Sequence, residues 1–192
     1  MPRKKKAKKE EKKEAKPRPK VKALFAKERI ITEDSSDAKE LYNQSRYGTL
    51  MDSGKVQLSL IEGLYLVEKN RLEVLDGRNK PIEFEKLFKK AQRLEKNLLV
   101  KYTVYKDMRD RGYILKTALK FGADFRVYDR GVKPGEDHAR WVVYPVHESQ
   151  ALTWHEWAAK NRVAHSTKKR LLIAVVDVEN DVSYWESRWM RP

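Results

Sequence analysis

The chain has 192 residues, 40% of them hydrophobic, contains no cysteine and has a formal net charge of +15. The lack of cysteine excludes disulfides, cysteine nucleophiles and cysteine-based zinc sites, and no apolar run approaches the ~20 residues that a transmembrane helix needs. No apolar stretch of the kind found in signal peptides follows the charged N-terminus, so we expect a cytoplasmic protein. The positive charge predicts a polyanionic partner, and nucleic acid is the class that fits it best.

The first 20 residues form a basic, low-complexity segment with 11 Lys or Arg and 3 Glu. The segment lacks aromatic residues and has almost no apolar side chains, so burial cannot offset the entropy lost on ordering. We therefore predict a disordered basic tail over residues 1–20. Its two possible roles are nonspecific contacts with phosphates and maintenance of solubility.

An N-terminal α+β domain is predicted over residues 21–97. Ser59-x-x-Glu62 matches a capping box, and the apolar residues that follow it fall on one face of a helix. The other predicted elements are short strands within 21–32, a helix over about 37–46 that ends near Gly48, a hairpin over 72–84 that turns at Asp76-Gly77, and a long helix from about 83 to 111.

A C-terminal domain with a mixed sheet is predicted over residues 98–192. LLIAVVDV (171–178) is a continuous apolar run, which is typical of an interior strand. Thr153-x-x-Glu156 matches a second capping box and predicts a short helix before this strand. The remaining predicted strands lie within 113–121, 124–129, 139–146 and 182–190.

Tyr128, His138 and Lys169 are candidate catalytic residues. Tyr128 ends a predicted strand, His138 follows ten residues later beyond a loop, and Lys169 precedes the apolar strand. Taken singly, each residue is more often structural or solvent-facing. Together, a phenol, an imidazole and an ammonium are the groups needed to cleave RNA without a metal, because they can take a proton, give a proton and stabilise charge on phosphorus.

The motifs around these residues are dense and ordered. The chain reads RGYILKT (111–117), KFGADFRVY (120–128), His138 and RVAHSTKKRLL (162–172). This series closely resembles the C-terminal domain of the archaeal tRNA-splicing endonucleases, where RGY-(V/I)-x-KT and KFGA-x-F-x-VY precede a histidine ten residues after the tyrosine and a final R-(V/L)-A-H-S segment. With a similar N-terminal half, the resemblance covers about 21–192 and points to the homotetrameric type.

This resemblance implies an α/β (α+β) fold, in which an N-terminal α+β domain precedes a C-terminal mixed-sheet, nuclease-like domain flanked by helices. It implies that Tyr128 is the general base, His138 the general acid and Lys169 the cation that stabilises the transition state. Thr167-Lys168 stands where Val-Arg is common in the family, so Lys168 remains an alternative for the cation. No cofactor and no metal are implied.

The implied substrate is precursor tRNA, cut in the bulges of a bulge-helix-bulge motif to give 2′,3′-cyclic phosphate and 5′-OH ends. In the family, an arginine at the position of Arg162 stacks on a base flipped out of the bulge, which is sensible because every base offers a π-face. A second stacking residue comes from the final strand. We assign it to Trp185, with Arg188 and Trp189 as alternatives.

Two cuts need two active sites at a fixed separation, so an oligomer is expected. The acidic turn at Asp177, Glu179 and Asp181 matches a family loop that docks into a basic cleft of the opposing dimer. The chain has no insertion between Gly48 and Leu58 of the kind found in heterotetrameric relatives, which favours a homotetramer. The alternative interpretation is a noncatalytic, RNA-binding or structural subunit of such an assembly.

Overall fold

Two five-stranded sheets and five α-helices make up the part of the chain that the structure describes. The structure is a computed structural model, and it describes residues 20–132, 134–135 and 137–190. The predicted disordered tail lies outside the described residues except for Lys20. The two-domain, mixed α/β fold expected from the sequence is confirmed. No helix within the described ranges is both long and apolar enough to cross a membrane.

The N-terminal sheet has the strand order β3-β4-β2-β1-β5. Its strands pair antiparallel except for β1 and β5, which are parallel. The strands are β1 (Val21–Ala26), β2 (Arg29–Thr32), β3 (Thr49–Leu50), β4 (Val56–Leu58) and β5 (Leu72–Leu75), and the helices of this half are α1 (Ser36–Asn43), α2 (Leu60–Glu68) and α3 (Phe84–Leu94). The predicted hairpin over 72–84 is only partly correct. Its first strand is β5, but in place of a second strand there is a single antiparallel bridge between Leu75 and Pro81.

Helix α2 begins with the capping box that the sequence predicts. The Ser59 hydroxyl accepts a hydrogen bond from the Glu62 amide, and the Glu62 carboxylate accepts one from the Ser59 amide at 2.9 Å. The other oxygen of this buried carboxylate accepts a hydrogen bond from the Gly48 amide at 2.8 Å. Glu62 thus fixes both the start of α2 and the segment that leads into β3.

Gly48 has a positive φ of 61°, and a Cβ at this position would lie 2.4 Å from the Gln57 carbonyl oxygen. We expect Gly48→Ala to lower the free energy of unfolding by about 2–4 kcal/mol, from left-handed strain and overpacking. Gly77→Ala is the matched control, because nothing lies within 4 Å of a Cβ there. Urea denaturation measures both variants, and equal stabilities would contradict the packing described here.

The prediction of one long helix from 83 to 111 is wrong in one respect, because two separate helices cover this range. Helix α3 ends at Leu94, and α4 (Leu98–Asp110) begins after Asn97, which adopts the left-handed conformation with φ of 55°. Asparagine tolerates this conformation better than most residues, so Asn97 can end one helical path and start another. Helix α4 then packs against the second sheet.

The C-terminal sheet has the strand order β10-β9-β8-β7-β6. It is mixed, as predicted, because β8 and β9 are parallel and the other pairs are antiparallel. The apolar run forms β9, which has neighbours on both sides. The elements after α4 are β6 (Ile114–Thr117), a 3-10 turn (Leu119–Phe121), β7 (Phe125–Tyr128), β8 (Trp141–His147), α5 (Trp154–Ser166), β9 (Arg170–Val176) and β10 (Val182–Ser187).

Each face of this sheet is covered by a different helix. Phe125 and Val127 of β7 belong to the larger core that includes α4, whereas Val142 of β8 and Ile173 of β9 pack with Ala164 of α5 in a second core. Arg126 pairs with Val142, and side chains alternate along a strand, so Arg126 and Tyr128 lie on the α5 face. This face therefore presents the candidate site.

Candidate active site

One cleft contains all three residues that the sequence analysis singled out. It has a volume of about 560 Å³. Its lining comprises Phe121, Arg126, Tyr128, Gly135, Asp137, His138, Ala139 and Lys169. Because β8 and β9 are parallel and β7 is antiparallel to β8, the end of β7 and the starts of β8 and β9 meet at one edge of the sheet. The topology thus brings together residues that are far apart in the sequence.

Tyr128 is the last residue of β7 and is only 4% exposed. The guanidinium carbon of Arg126 lies 5.9 Å from the centroid of the Tyr128 ring. The phenol is therefore held in place by the strand beneath it and faces a cation along the same strand.

His138 is exposed and lies in the loop between β7 and β8. The His138 amide donates a hydrogen bond to Asp137 Oδ1 at 2.6 Å. An ion pair of 3.1 Å between Arg140 Nη1 and Asp129 Oδ1 joins the two ends of this loop, and the Arg140 amide donates to the Val127 carbonyl at 2.9 Å. These contacts hold the two ends of the loop together, and the loop places His138 in the lining of the cleft.

Lys169 lies in the tight turn between α5 and β9. Its amide donates to the Ala164 carbonyl, and its ammonium donates to the Thr167 carbonyl, both at 2.8 Å. Burial lowers the pKa of Lys169 below its ordinary value, and the nearby Arg126 guanidinium lowers the pKa further. Lys168 instead adopts the left-handed conformation at φ of 54°, is exposed and does not line the cleft. Of the two candidate cations, the turn directs Lys169 into the cleft.

Arg126 lines the cleft but was missed by the sequence analysis. Its Nε atom is buried and lacks a hydrogen-bond partner within the described ranges. The only sequence signal was its position two residues before Tyr128, which places both side chains on the same face of the sheet.

A smaller cleft adjoins the first and shares Lys169 with it. It is lined by Asn161, Ala164, His165, Lys169, Arg170, Ser187, Arg188 and Trp189. The rings of His165 and Trp189 lie 4.6 Å apart between centroids. Two of the three candidates for the second stacking residue, Arg188 and Trp189, therefore lie beside Lys169, and His165 was not predicted to contribute.

Neither Arg162 nor Trp185 lines these two clefts. Arg162 is exposed on α5, and Trp185 is 65% exposed on β10. Ser187 donates a hydrogen bond to Asn161 of α5 at 2.8 Å, so alternation along β10 places Trp185 on the α5 face as well. The two predicted stacking residues thus lie on the same side of the sheet.

The acidic turn connects β9 to β10. Asp177 Oδ1 accepts hydrogen bonds from the amides of Glu179 and Asp181, at 2.9 and 2.8 Å. Oxygen atoms of the three carboxylates lie within 4.8 Å of one another. The turn follows β9 whereas Lys169 precedes it, so roughly 20 Å of strand separates the turn from the cleft that contains Tyr128, His138 and Lys169.

Comparison with known families assigns both halves of the chain. The family described as "tRNA intron endonuclease, catalytic C-terminal domain" matches residues 98–184. The family described as "tRNA intron endonuclease, N-terminal domain" matches residues 21–88.

Individual relatives agree with this assignment. The tRNA-splicing endonuclease of Thermococcus onnurineus is 42% identical over 164 residues, which cover 85% of this chain and 93% of the relative. That of Nanoarchaeum equitans is 44% identical over 142 residues, covering 71% and 90%. That of Methanothermobacter thermautotrophicus is 37% identical over 174 residues, covering 90% and 99%. The resemblance in sequence, the two-domain fold and these relatives lead to one conclusion: the chain belongs to the tRNA intron endonuclease family.

Proposed function

We propose that this protein is a tRNA-splicing endonuclease that cuts precursor tRNA at bulge-helix-bulge junctions in the cytoplasm. The observation that best supports this proposal is the convergence of Tyr128, His138 and Lys169 in one cleft. The site belongs to the proposed catalytic domain, residues 98–192. The proposed reaction needs no metal ion and no cofactor.

In the proposed reaction, Tyr128 takes the proton of the ribose 2′-OH at the cut. The 2′-oxygen then forms a bond to phosphorus in line with the bond that breaks, and the departing 5′-oxygen receives a proton from His138. Lys169 stabilises the negative charge that builds on the phosphoryl oxygens. The step consumes no water, because one bond to phosphorus forms as the other breaks and one proton is taken as another is given. The products are a 2′,3′-cyclic phosphate and a 5′-OH.

The environment of each group supports its role. Tyr128 is held by a strand, which suits a base that must meet one particular hydroxyl. His138 is exposed on a loop, where it can reach a leaving group on a large substrate. The Lys169 ammonium is held by its hydrogen bond to Thr167, so little reorganisation is needed when charge develops.

Cleavage of a bulge-helix-bulge RNA in excess EDTA tests the chemistry. We expect cleavage to persist, the 5′ fragment to end in a cyclic phosphate, and a 2′-deoxy substitution at the cut to abolish the reaction, because the nucleophile is then missing. A strict need for a divalent ion, with 3′-OH products, would contradict the mechanism. Binding without any cleavage would support the second candidate, a noncatalytic subunit, which the presence of all three groups in one cleft disfavours.

We propose further that Arg162 and Trp185 hold a base flipped out of the bulge. Both are exposed on the α5 side of the sheet, and a guanidinium and an indole each offer a flat face for stacking.

The proposed assembly is a homotetramer, because a substrate with two junctions needs two correctly spaced sites. Asp177 and Glu179 are the proposed contacts with the opposing dimer. Their clustered carboxylates form a strongly negative tip, which suits a basic surface on a second copy of this chain.

The double variant Asp177→Lys plus Glu179→Lys should convert the tetramer into dimers, because reversed charges would repel a basic surface at close range. Light scattering measures the mass of the assembly. The rate at which the variant cleaves a two-junction substrate should decrease together with this mass. Glu148→Lys serves as a control with a single charge reversal beside the turn, where the Glu148 carboxylate accepts a hydrogen bond from the Val178 amide at 3.3 Å. An intact, active tetramer of the double variant would mean that another surface holds the assembly together.

A further inference from the structure

A groove of about 540 Å³ lies beside α4, on the opposite side of the C-terminal sheet from the cleft that contains Tyr128. It is bounded by α2, α3, α4 and the start of β10. Its apolar lining comes from Phe84 and Phe88 of α3, Leu99 of α4 and Val182 of β10. Leu99 is 47% exposed and both phenylalanines are only partly buried, so part of this apolar surface is open to solvent in the described structure.

The groove is also acidic. Five carboxylates line it, against one cation among the described residues, Lys106. The carboxylates are those of Glu68, Glu85, Asp107, Asp110 and Asp181. Three of them form ion pairs with neighbouring lysine or arginine side chains, whereas Glu85 and Asp181 form none with any described residue. The groove therefore has an excess of negative charge in a chain whose formal net charge is +15.

The described chain begins beside this groove. The Val21 amide, at the start of β1, donates a hydrogen bond to the Arg71 carbonyl at 3.1 Å. Glu68 lies three residues before Arg71, at the end of α2, and lines the groove. Because three residues of chain span at most about 11 Å, the start of β1 lies within roughly 20 Å of the Glu68 backbone.

The segment that leads to this point is strongly basic. Residues 1–19, which lie outside the described residues, contain ten Lys or Arg and three Glu, and so carry +7 of the net charge of +15. Next to β1 the chain reads KPRPK (16–20), with a cation at every second position. An extended segment of this kind advances about 3.1 Å per residue, so 19 residues can span up to about 60 Å and reach all of the groove.

We propose that residues 1–19 dock in this groove of their own chain, with lysine and arginine side chains directed at Glu85 and Asp181. Lysine and arginine suit both features of the groove, because their aliphatic stems can pack on apolar surface while the charged ends meet carboxylates. The rings of Phe84 and Phe88 can also attract a cation placed over their faces.

The tail of the same chain is favoured over the tail of a second copy because its point of attachment lies beside the groove. A tethered ligand has an effective concentration in the millimolar range, which a free second copy does not reach. Docking would tie α2 and α3 of the N-terminal domain to α4 and β10 of the C-terminal domain, and would hold the tail on the side of the sheet away from Tyr128.

The first test is crosslinking of engineered cysteines, since the chain has none of its own. Ala15→Cys supplies a thiol in the tail, and Thr103→Cys supplies one in the groove. Glu73→Cys replaces Thr103→Cys in the control, because Glu73 is also close to the start of β1 but lies on the face of the N-terminal sheet opposite to the buried Leu72 and Val74.

A short bismaleimide should crosslink the groove pair roughly fivefold faster than the control pair, and the product should migrate as a single chain on a denaturing gel. Salt at 1 M should remove the difference, because the Debye length then falls to about 3 Å. Equal rates for the two pairs at low salt would overturn the proposal. So would a product with the mass of two chains, which would assign the groove to the tail of a second copy.

The second test measures the coupling between the tail and Glu85 by thermal unfolding at low salt. Glu85→Lys should lower the Tm by roughly 2–4 °C more in the full chain than in a chain that lacks residues 1–19. Glu83→Lys is the matched control, because Glu83 is exposed and precedes the same helix but does not line the groove. Its effect should be the same in both chains.

The deletion itself gives a result of opposite sign to that of net charge alone. Removal of a +7 segment from a chain of +15 relieves self-repulsion and would raise the Tm if the tail made no contact. Loss of the docked tail should instead lower the Tm at low salt. A raised Tm, or an equal effect of Glu85→Lys in both chains, would overturn the proposal. Neither test depends on cleavage of RNA, so both are independent of the proposed function.

Discussion

Replacement of His138 by alanine should slow cleavage by roughly 10²–10⁴-fold, the usual contribution of a general acid or base. RNA binding should change little, because a single imidazole at the edge of the cleft adds little to the attraction between a basic protein and a phosphate backbone. Single-turnover cleavage and equilibrium binding to the 2′-deoxy RNA measure the two quantities separately.

The matched control is His155→Ala, because His155 is exposed on α5 and does not line the cleft. Its rate should equal that of the wild-type protein. A loss of binding in His138→Ala that parallels the loss of rate would assign His138 a structural role in its loop, and would remove the imidazole from the proposed mechanism.

Replacement of Lys169 by alanine should also reduce the cleavage rate strongly, by at least about 10²-fold, because in the proposed mechanism it removes the cation that stabilises the transition state. The neighbouring variant Lys168→Ala removes the same formal charge from the same turn, but from an exposed side chain that does not line the cleft. It should retain nearly the full rate. The comparison therefore separates a local cation at the reacting phosphate from general electrostatic attraction.

Both lysine variants should bind the 2′-deoxy RNA with similar affinity, since catalysis depends on interactions that strengthen only in the transition state. Equal rates for the two variants, or a slower Lys168→Ala, would mean that the cation of the proposed mechanism has been assigned to the wrong residue.

Local signals in the sequence predicted local structure well. Ser59 with Glu62, and Thr153 with Glu156, form capping boxes as their spacing indicated. The break at Asn97 was not predicted, because the apolar stripe continues across it and its left-handed conformation depends on how α3 and α4 pack. The parallel pairing of β1 with β5 is likewise decided by contacts between distant parts of the chain.

The candidate site was likewise predictable where the signal was local in the sequence, and not where it depended on the folded geometry. The motifs identified Tyr128, His138 and Lys169, and the structure brings these three residues into one cleft. The sequence left Lys168 as an alternative, because only the geometry of the turn decides which of two adjacent lysines faces the cleft. Arg126 gave only one signal, its position two residues before Tyr128, because the cleft that it lines is formed by segments that are distant in the sequence.

The parallel pairing of β8 with β9 also bears on the order in which the site forms during folding. Tyr128 and His138 flank a short connection between antiparallel strands, so their approach closes only a small loop. Lys169 reaches them only after the chain has passed through α5 and returned to the same edge of the sheet. Closing this longer loop costs more entropy and is expected to be slower. A nascent or partly refolded chain would therefore acquire its phenol and imidazole pair before its cation, and competence to cut RNA would appear only with the last docking step.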